Sequence, residues 1–380
     1  MSVLRLSVPN YVAPKQTICF PGALGAISAL PATRMAIITP PRTLENPTLK
    51  RILSKQKRMQ IKVFHPSWFD EPTIDNIQKT LGKIATYNPD YIIAIGGGRI
   101  LDGAKLVWAF YEHPHFNRDR LSIFFSLPPL GRRSKFCCVP TTAGTGSEAS
   151  SSAIILDQQT MKQIPVVTHD FLPDIAVLDP ELLTSLPEKW ICLTGMDALA
   201  HALEGYASKQ KNSMAKSLVI PSVSSLLDSL INLKNTPYNI FYLEKAMIGA
   251  HWAGIIQNNL LVGPAHAIAH QLGGGVPHSL STGLLLPHVI QLQSEKSKVL
   301  EQSYSDLAMK VGFDSLNQFL NHLFSLPQEY NIQTKLSKWP GVQSSVGDDI
   351  GELAQKDILA RVFPVEMTIQ DLNNLFEKVW

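Results

Sequence analysis

The apolar pattern of this chain changes character once, near Leu186-Pro187, and that change divides the fold. Up to about residue 185 short apolar runs alternate with helical patterns, the signature of an α/β domain built on a largely parallel sheet. Candidate strands are Met35–Thr39, Tyr91–Ile95, Cys137–Val139 and Ile175–Leu178. From Trp190 onward, segments such as Met196–Ser208, Ser213–Leu233 and Leu243–Leu261 repeat apolar residues at helical spacing, and β-like alternation is scarce. The expected architecture is an α/β domain over residues 1–186 and an all-helical domain over 187–380. A length of 380 residues exceeds what one hydrophobic core usually organises, which agrees with two domains. The Pro-, Phe- and Arg-rich stretch from His113 to Lys135 reads as a surface loop or lid between a helix and the next strand.

Charge and cysteine usage narrow the partners. With 34 basic and 31 acidic side chains the net charge is +3, which gives no electrostatic case for nucleic acid or an anionic membrane. The four cysteines, Cys19, Cys137, Cys138 and Cys192, lack CxxC spacing and the density of a disulfide scaffold, so reduced thiols in a cytoplasm are expected. The first fourteen residues lack a continuous apolar core and a small-residue cleavage site, and no run of about twenty uninterrupted apolar residues occurs. A soluble protein is the expectation.

Two loops in the first half suit a dinucleotide. The run Tyr91-Ile92-Ile93-Ala94-Ile95 stops at Gly96-Gly97-Gly98, and a helix follows near Leu101 to Lys105. A glycine turn between strand and helix lets backbone N–H groups approach a phosphate, with the positive end of the helix behind them. The same turn also serves many proteins as a mere tight connection. The second loop, Pro140-Thr141-Thr142-Ala143-Gly144-Thr145-Gly146-Ser147-Glu148, follows the next strand and offers hydroxyls and open backbone to ribose and phosphate.

The second half carries metal-ligand spacing. Asp197 and His201 stand four apart, as do His266 and His270, so each pair shares a helix face. His278 follows a glycine-rich loop and opens the next helix. Three imidazoles and one carboxylate suit Fe(II) or Zn(II) and leave a position open for substrate. Such an ion polarises an alcohol or aldehyde oxygen as a Lewis acid while a nicotinamide exchanges hydride with the carbon. Spacing leaves open which histidines touch the metal. A dinucleotide cradle in one domain and a metal site in the other would place the chemistry between them.

At this point the residues resemble the iron-containing (group III) alcohol dehydrogenases over nearly the whole chain. The matching segments are Gly96-Gly97-Gly98 with Asp102 and Lys105, Pro140 to Glu148, Pro173 to Pro180, Gly195 to Glu204, and His266 to His288. The resemblance implies an N-terminal Rossmann-like dinucleotide-binding domain, an all-α C-terminal metal-binding domain and a dehydroquinate synthase-like fold. It implies a metal, Fe(II) or Zn(II), on Asp197, His201, His266 and His278. His270 would then relay a proton beside the metal. Asp102, Thr141, Thr142 and Lys162 would join Gly96, Gly97 and Gly98 in binding NADP(H) or NAD(H). The substrate class is a small alcohol or aldehyde, and dimers or larger assemblies are common in the family. His288, in Leu286-Pro287-His288, matches a family position and reads as structural.

Four departures shape the expectation. Thr39-Pro40-Pro41-Arg42 stands where relatives often carry an acidic residue against the adenosine ribose, so NADP(H) becomes at least as favoured as NAD(H), with Arg42 reaching the 2′-phosphate. Arg99 replaces the family's usual Ser and would point toward the diphosphate. The loop from His270 to His278 is about two residues short, which bears on whether His278 reaches the metal. Gln257 stands where relatives often place an aromatic side chain, and favours a polar aldehyde, with Arg132 or Arg133 from the lid meeting an anionic one. The rival readings are a lyase resembling dehydroquinate synthase, a maleylacetate reductase, and a nucleotide- or metal-binding protein without turnover.

Overall fold

A computed structural model of the chain describes residues 11–54, 60–68, 71–158, 163–272, 275–340, 342 and 349–380. Among these, Val12–Leu186 and Pro187–Trp380 each form a compact unit.

The first unit contains β1 (Gln16–Cys19), β2 (Arg34–Ile38), α1 (Pro47–Ser54), β3 (Gln60–Phe64), α2 (Ile74–Tyr87), β4 (Tyr91–Gly96), α3 (Gly98–Glu112), β5 (Lys135–Pro140), β6 (Ser152–Leu156), β7 (Gln163–Val167) and β8 (Ile175–Leu178). Six strands make one sheet in the order β1-β8-β5-β4-β2-β3, and every pairing in it is parallel. A parallel sheet covered on both faces needs strands apolar at every position. Strand β4 meets that demand, with all six residues buried.

Alternation then sorts neighbours to opposite faces. Ile92, Ala94, Phe136 and Cys138 enter one core cluster, with Trp108 and Phe110 of α3. Tyr91, Ile93, Ile95, Cys137 and Val139 enter the other. The adjacent Cys137 and Cys138 therefore point apart, and all four cysteines are free. Burial pushes both of these thiols up from their ordinary value.

Four strands escape the sequence pattern. Strands β1 and β3 lie at the two edges of the sheet and carry polar residues, Gln16 and Thr17 in one and Gln60 and Lys62 in the other. The pair β6 and β7 is a separate antiparallel hairpin. The stretch after α3 is a tethered loop, because Glu112 at the end of α3 accepts the backbone N–H groups of Arg132, Arg133 and Ser134 at 2.7–3.1 Å.

The described part of the second unit is helical: α4 (Glu188–Ala207), α5 (Ser213–Ser217), α6 (Val219–Leu233), α7 (Ile240–Leu260), α8 (Pro264–Ala269), α9 (His278–Lys296), α10 (Lys298–Lys310), α11 (Leu316–Glu329), α12 (Ile350–Lys356) and α13 (Ile369–Val379). Helix α4 is buried on nearly all sides from Ile191 to Gly205, packed by α6, α7 and α9. Such all-round apolarity belongs to a central helix. The expected single helix over Ser213–Leu233 is broken at Leu218 into α5 and α6. By length and composition this stretch is apolar enough to cross a membrane, yet α6 lays Val219, Val223, Leu226, Leu227, Leu230 and Leu233 into the helical core.

Candidate active site

The helical unit gathers its ionisable side chains around α4. Asp197 and His201 sit one turn apart on that helix and both are buried. Helix α9 approaches α4 closely at Gly283, where a Cβ would lie 2.7 Å from the Met196 side chain. That approach delivers the first turns of α9 to Asp197. The Thr282 hydroxyl donates to Asp197 Oδ1 at 2.7 Å, and His278 Nε2 stands 4.0 Å from the same oxygen. His266, on α8, puts Nε2 3.7 Å from it. One donor atom from each of Asp197, His266 and His278 falls within 4.8 Å of the others. The short loop before His278 thus does not keep it from the cluster.

His201 stands beside the three. Its ring stacks on His266 with centroids 4.6 Å apart and planes 27° apart. Asp197 Oδ2, His201 Nδ1 and His266 Nε2 are all buried without a hydrogen-bond partner. Burying three such atoms unpaired costs on the order of 1–3 kcal/mol each. An ion bound among them removes much of that cost, so a mixed carboxylate and imidazole donor set with orphaned atoms fits a divalent metal.

The electrostatics agree. Burial alone would raise the Asp197 carboxyl, but the facing His201, His278 and His266 rings and the Thr282 hydrogen bond outweigh it and hold it below the ordinary value. Burial, reinforced by His201 and His278, drives His266 well below its ordinary value, which keeps the ring neutral. A ligating imidazole must be neutral.

Two supporting carboxylates were not among the expected site residues. Glu204 accepts from His266 Nδ1 at 2.6 Å, and also from the Gly263 and Ala265 amides at 2.9 and 2.6 Å. It orients the ring that faces the cluster, as carboxylates behind metal-bound histidines do. Burial pushes the Glu204 carboxyl up to about 7, against the pull of those amides. Its spacing was a usable signal, since Asp197, His201 and Glu204 stand at i, i+4 and i+7 on one face of α4. The second carboxylate is Asp357, just after α12. Its Oδ2 lies 3.0 Å from His270 Nδ1. Burial would raise this carboxyl too, but the hydrogen bond and charge of His270 hold it down. His270 lies next to the cluster, its ring centroid 5.8 Å from that of His278 and 6.4 Å from that of His266. His288 is packed against Phe324 and pushed down to about 4 by burial and by Lys378 and Lys335.

In the α/β unit the site is made of backbone. Parallel strands end together, so Thr39 after β2, Gly96–Gly98 at the end of β4 and Thr141 after β5 share the carboxyl edge of the sheet, where ligands of such folds bind. At Gly98 a Cβ would lie 2.7 Å from the Thr145 side chain. The two loops therefore meet across a gap that no side chain at 98 could enter. The N-terminus of α3 has no side-chain cap, which leaves its first amides for an anion. A cradle of this kind fits a dinucleotide diphosphate. Thr141 donates its N–H to Gly96 O at 3.0 Å, tying the second loop to the first.

Several of the expected residues hold partners within their own unit. Asp102 accepts from Ser147 Oγ at 2.5 Å and from Ile154 N at 3.1 Å, so its carboxylate fastens the second loop and the β6–β7 hairpin to α3. Lys105, fully buried, donates to Ser150 O, Ser150 Oγ and Ser152 O in the same knot. Arg99 pairs with Glu71 at 2.8 Å, which turns its charge to a carboxylate of its own unit. Arg133 donates to Tyr111 O and Asn88 Oδ1 and lies over the Tyr111 ring. Arg132 and Arg133 precede β5, whereas Thr141 follows it. They sit at the opposite edge of the sheet from the glycine loops, roughly 25 Å away along the strand direction. Lys162 lies outside the described residues.

Two family profiles match the chain in order: "Iron-containing alcohol dehydrogenase" over residues 14–180 and "Fe-containing alcohol dehydrogenase family, C-terminal" over residues 191–380. Aldehyde-alcohol dehydrogenase 2 of Entamoeba histolytica is 34% identical over 286 residues, which are 69% of this chain and 33% of that much longer protein. The NADPH-dependent butanol dehydrogenase of Clostridium saccharobutylicum is 30% identical over 322 residues, 82% of this chain and 81% of that one. Among solved structures, the alcohol dehydrogenase from Oenococcus oeni superposes with a TM-score of 0.87 at 25% identity, covering 98% of this chain and 100% of that one. On this combination of profiles and overall superposition, the chain belongs to the iron-containing alcohol dehydrogenase family.

Proposed function

We propose that this chain is a metal-dependent, NAD(P)-linked alcohol dehydrogenase that interconverts small alcohols and aldehydes. The observation that carries the reading is the convergence of Asp197, His266 and His278 around buried, unpartnered atoms. When bound, a divalent ion supplies Lewis-acid polarisation of the alcohol or aldehyde oxygen, and the nicotinamide supplies the hydride acceptor or donor. Asp197, His201, His266 and His278 would hold the ion, with Glu204 fixing the His266 ring. Gly96, Gly97 and Gly98 and the amides at the start of α3 would bind the diphosphate, with Thr141 and Thr142 beside them and Lys162 completing the contacts. Asp102 keeps that second loop in place. His270 would accept or return the hydroxyl proton.

NADPH is the expected reductant. Thr39 is fully buried at the end of β2, and no carboxylate occupies its place against the ribose. Arg42 follows it, exposed and without an ion pair among the described residues, and the Clostridium relative bears an NADPH-dependent name. Gln257, half-buried on α7, tilts substrate choice toward polar aldehydes.

The test is to purify the protein without chelator, quantify bound iron and zinc, and follow oxidation of NADPH and NADH against a panel of aldehydes. Close to one divalent ion per chain and aldehyde-dependent NADPH oxidation are expected. Bound metal with no oxidation of either cofactor would overturn the proposal in favour of a lyase or a binding protein.

A further inference from the structure

The Asp357 carboxylate is held at both ends. Its Oδ1 accepts the Leu359 amide at 2.9 Å, capping the short 3₁₀ turn Ile358–Val362. Its Oδ2 faces His270 Nδ1 at 3.0 Å and accepts from Gln271 Nε2 at 3.3 Å. A carboxylate in this position only accepts, so a neutral His270 must carry its proton on Nδ1 and keep a lone pair on Nε2. The Nε2 atom has no hydrogen-bond partner among the described residues, and the side chain is 32% exposed. The ring also lies nearly parallel to that of His278, with planes 17° apart.

We infer that Asp357 is a positioning residue for the reaction, selecting the His270 tautomer whose Nε2 can take a proton. The inference rests on the dehydrogenase reading above. In alcohol oxidation His270 Nε2 would take the hydroxyl proton and pass it to water, and a bound oxidised nicotinamide would supply the acceptor for the hydride leaving carbon, so that the carbonyl remains. In the reverse direction the protonated ring returns that proton to the oxygen. The opposite tautomer has no lone pair on Nε2 and can do neither from the neutral state. Nothing in the sequence marks Asp357 for this task, because it lies 87 residues beyond His270.

Two substitutions separate tautomer control from simple damage. In Asp357→Asn, a side-chain oxygen kept on the Leu359 amide retains the cap and turns the NH2 group onto His270 Nδ1, with the Gln271 amide rotating to present its oxygen. A donor there forces the proton to Nε2. In Asp357→Ser, the cap is again retained, but the shorter side chain leaves Nδ1 unconstrained. The closer isostere is therefore the more harmful one, an order that loss of packing would not give.

The experiment labels histidines with 15N and reads ring tautomers in the zinc-loaded and metal-free protein, with His270 assigned by comparison with His270→Gln. The same variants are assayed with aldehyde and NADPH. The expected results are Nδ1–H in the wild type, Nε2–H in Asp357→Asn, and a mixture in Asp357→Ser. The kcat should fall roughly 100-fold or more in Asp357→Asn and less in Asp357→Ser, with the NADPH KM within a few-fold of wild type. An Nε2–H tautomer in the wild type, or an Asp357→Asn enzyme as fast as wild type, would overturn the inference. Wild-type protein that shows Nδ1–H but turns over no aldehyde would overturn the dehydrogenase reading, and the proton relay with it, while bearing out Asp357's hold on the ring.

Discussion

The two units build their sites from different materials. In the α/β unit the candidate groups are main-chain amides and small hydroxyls at the ends of adjacent strands, and they are contiguous in sequence within each loop. In the helical unit they are side chains drawn from α4, α8 and α9, supported by Glu204, Thr282 and Asp357. A backbone site tolerates most substitutions except those that fill its gap. A side-chain site depends on each donor and on whatever aims it.

That contrast can be broken most sharply at Asp197. Asp197→Ala removes a donor facing two imidazoles, and bound metal should fall below one tenth per chain with turnover down at least about 1000-fold. Metal analysis and kcat check it; near-normal metal content would mean that the three histidines suffice. Glu204→Gln comes next. The ring of His266 loses the carboxylate that aims it, and metal affinity should weaken roughly 10- to 100-fold in a chelator competition, with dinucleotide affinity unchanged. If affinity holds, Glu204 serves only the Gly263 and Ala265 amides.

Gly98→Val tests the other unit. Its side chain would drive into Thr145, so NADPH binding measured by fluorescence titration should weaken by about 10- to 100-fold while metal content stays at the wild-type level. Tight NADPH binding by this variant would remove the cradle from the proposal. The smallest effect is expected at Arg42→Ala, with the NADPH KM up about tenfold and the NADH KM within twofold, as for loss of one charge-assisted contact at an exposed site. An equal change for both cofactors would take the 2′-phosphate away from Arg42.

The same contrast explains what the residues alone disclosed. Strands β4, β5 and β8 read directly because burial on both faces demands unbroken apolar runs, which Tyr91–Ile95 shows plainly. Strands β1 and β3 did not, because edge positions admit Gln16, Gln60 and Lys62, and polar residues there obscure the pattern. The glycine loops were legible since the residues that form each of them are contiguous in sequence. Asp197, His201, His266 and His278 were visible as helical spacing plus family likeness, and Glu204 shares that spacing on α4, yet the more distant supports Thr282 and Asp357 were not visible. Thr282 reaches Asp197 across 85 residues, and Asp357 reaches His270 across 87, separations over which spacing carries no information. Arg99 and Arg133 looked available because a charged side chain in a loop is ordinarily solvated. Only the fold shows Glu71, Asn88 and Tyr111 engaging them.

The close approach of α4 and α9 at Gly283 has a thermodynamic corollary. An ion shared by Asp197 and His278 would bind only when these helices are packed, so on the proposed reading occupancy and folding of the helical unit are linked by mass action. Free ion at a hundredfold excess over its dissociation constant would add about 2.7 kcal/mol to the folded state of that unit. Heating the protein with and without chelator should therefore move the unfolding of the helical unit far more than that of the α/β unit, and added NADPH should do the reverse.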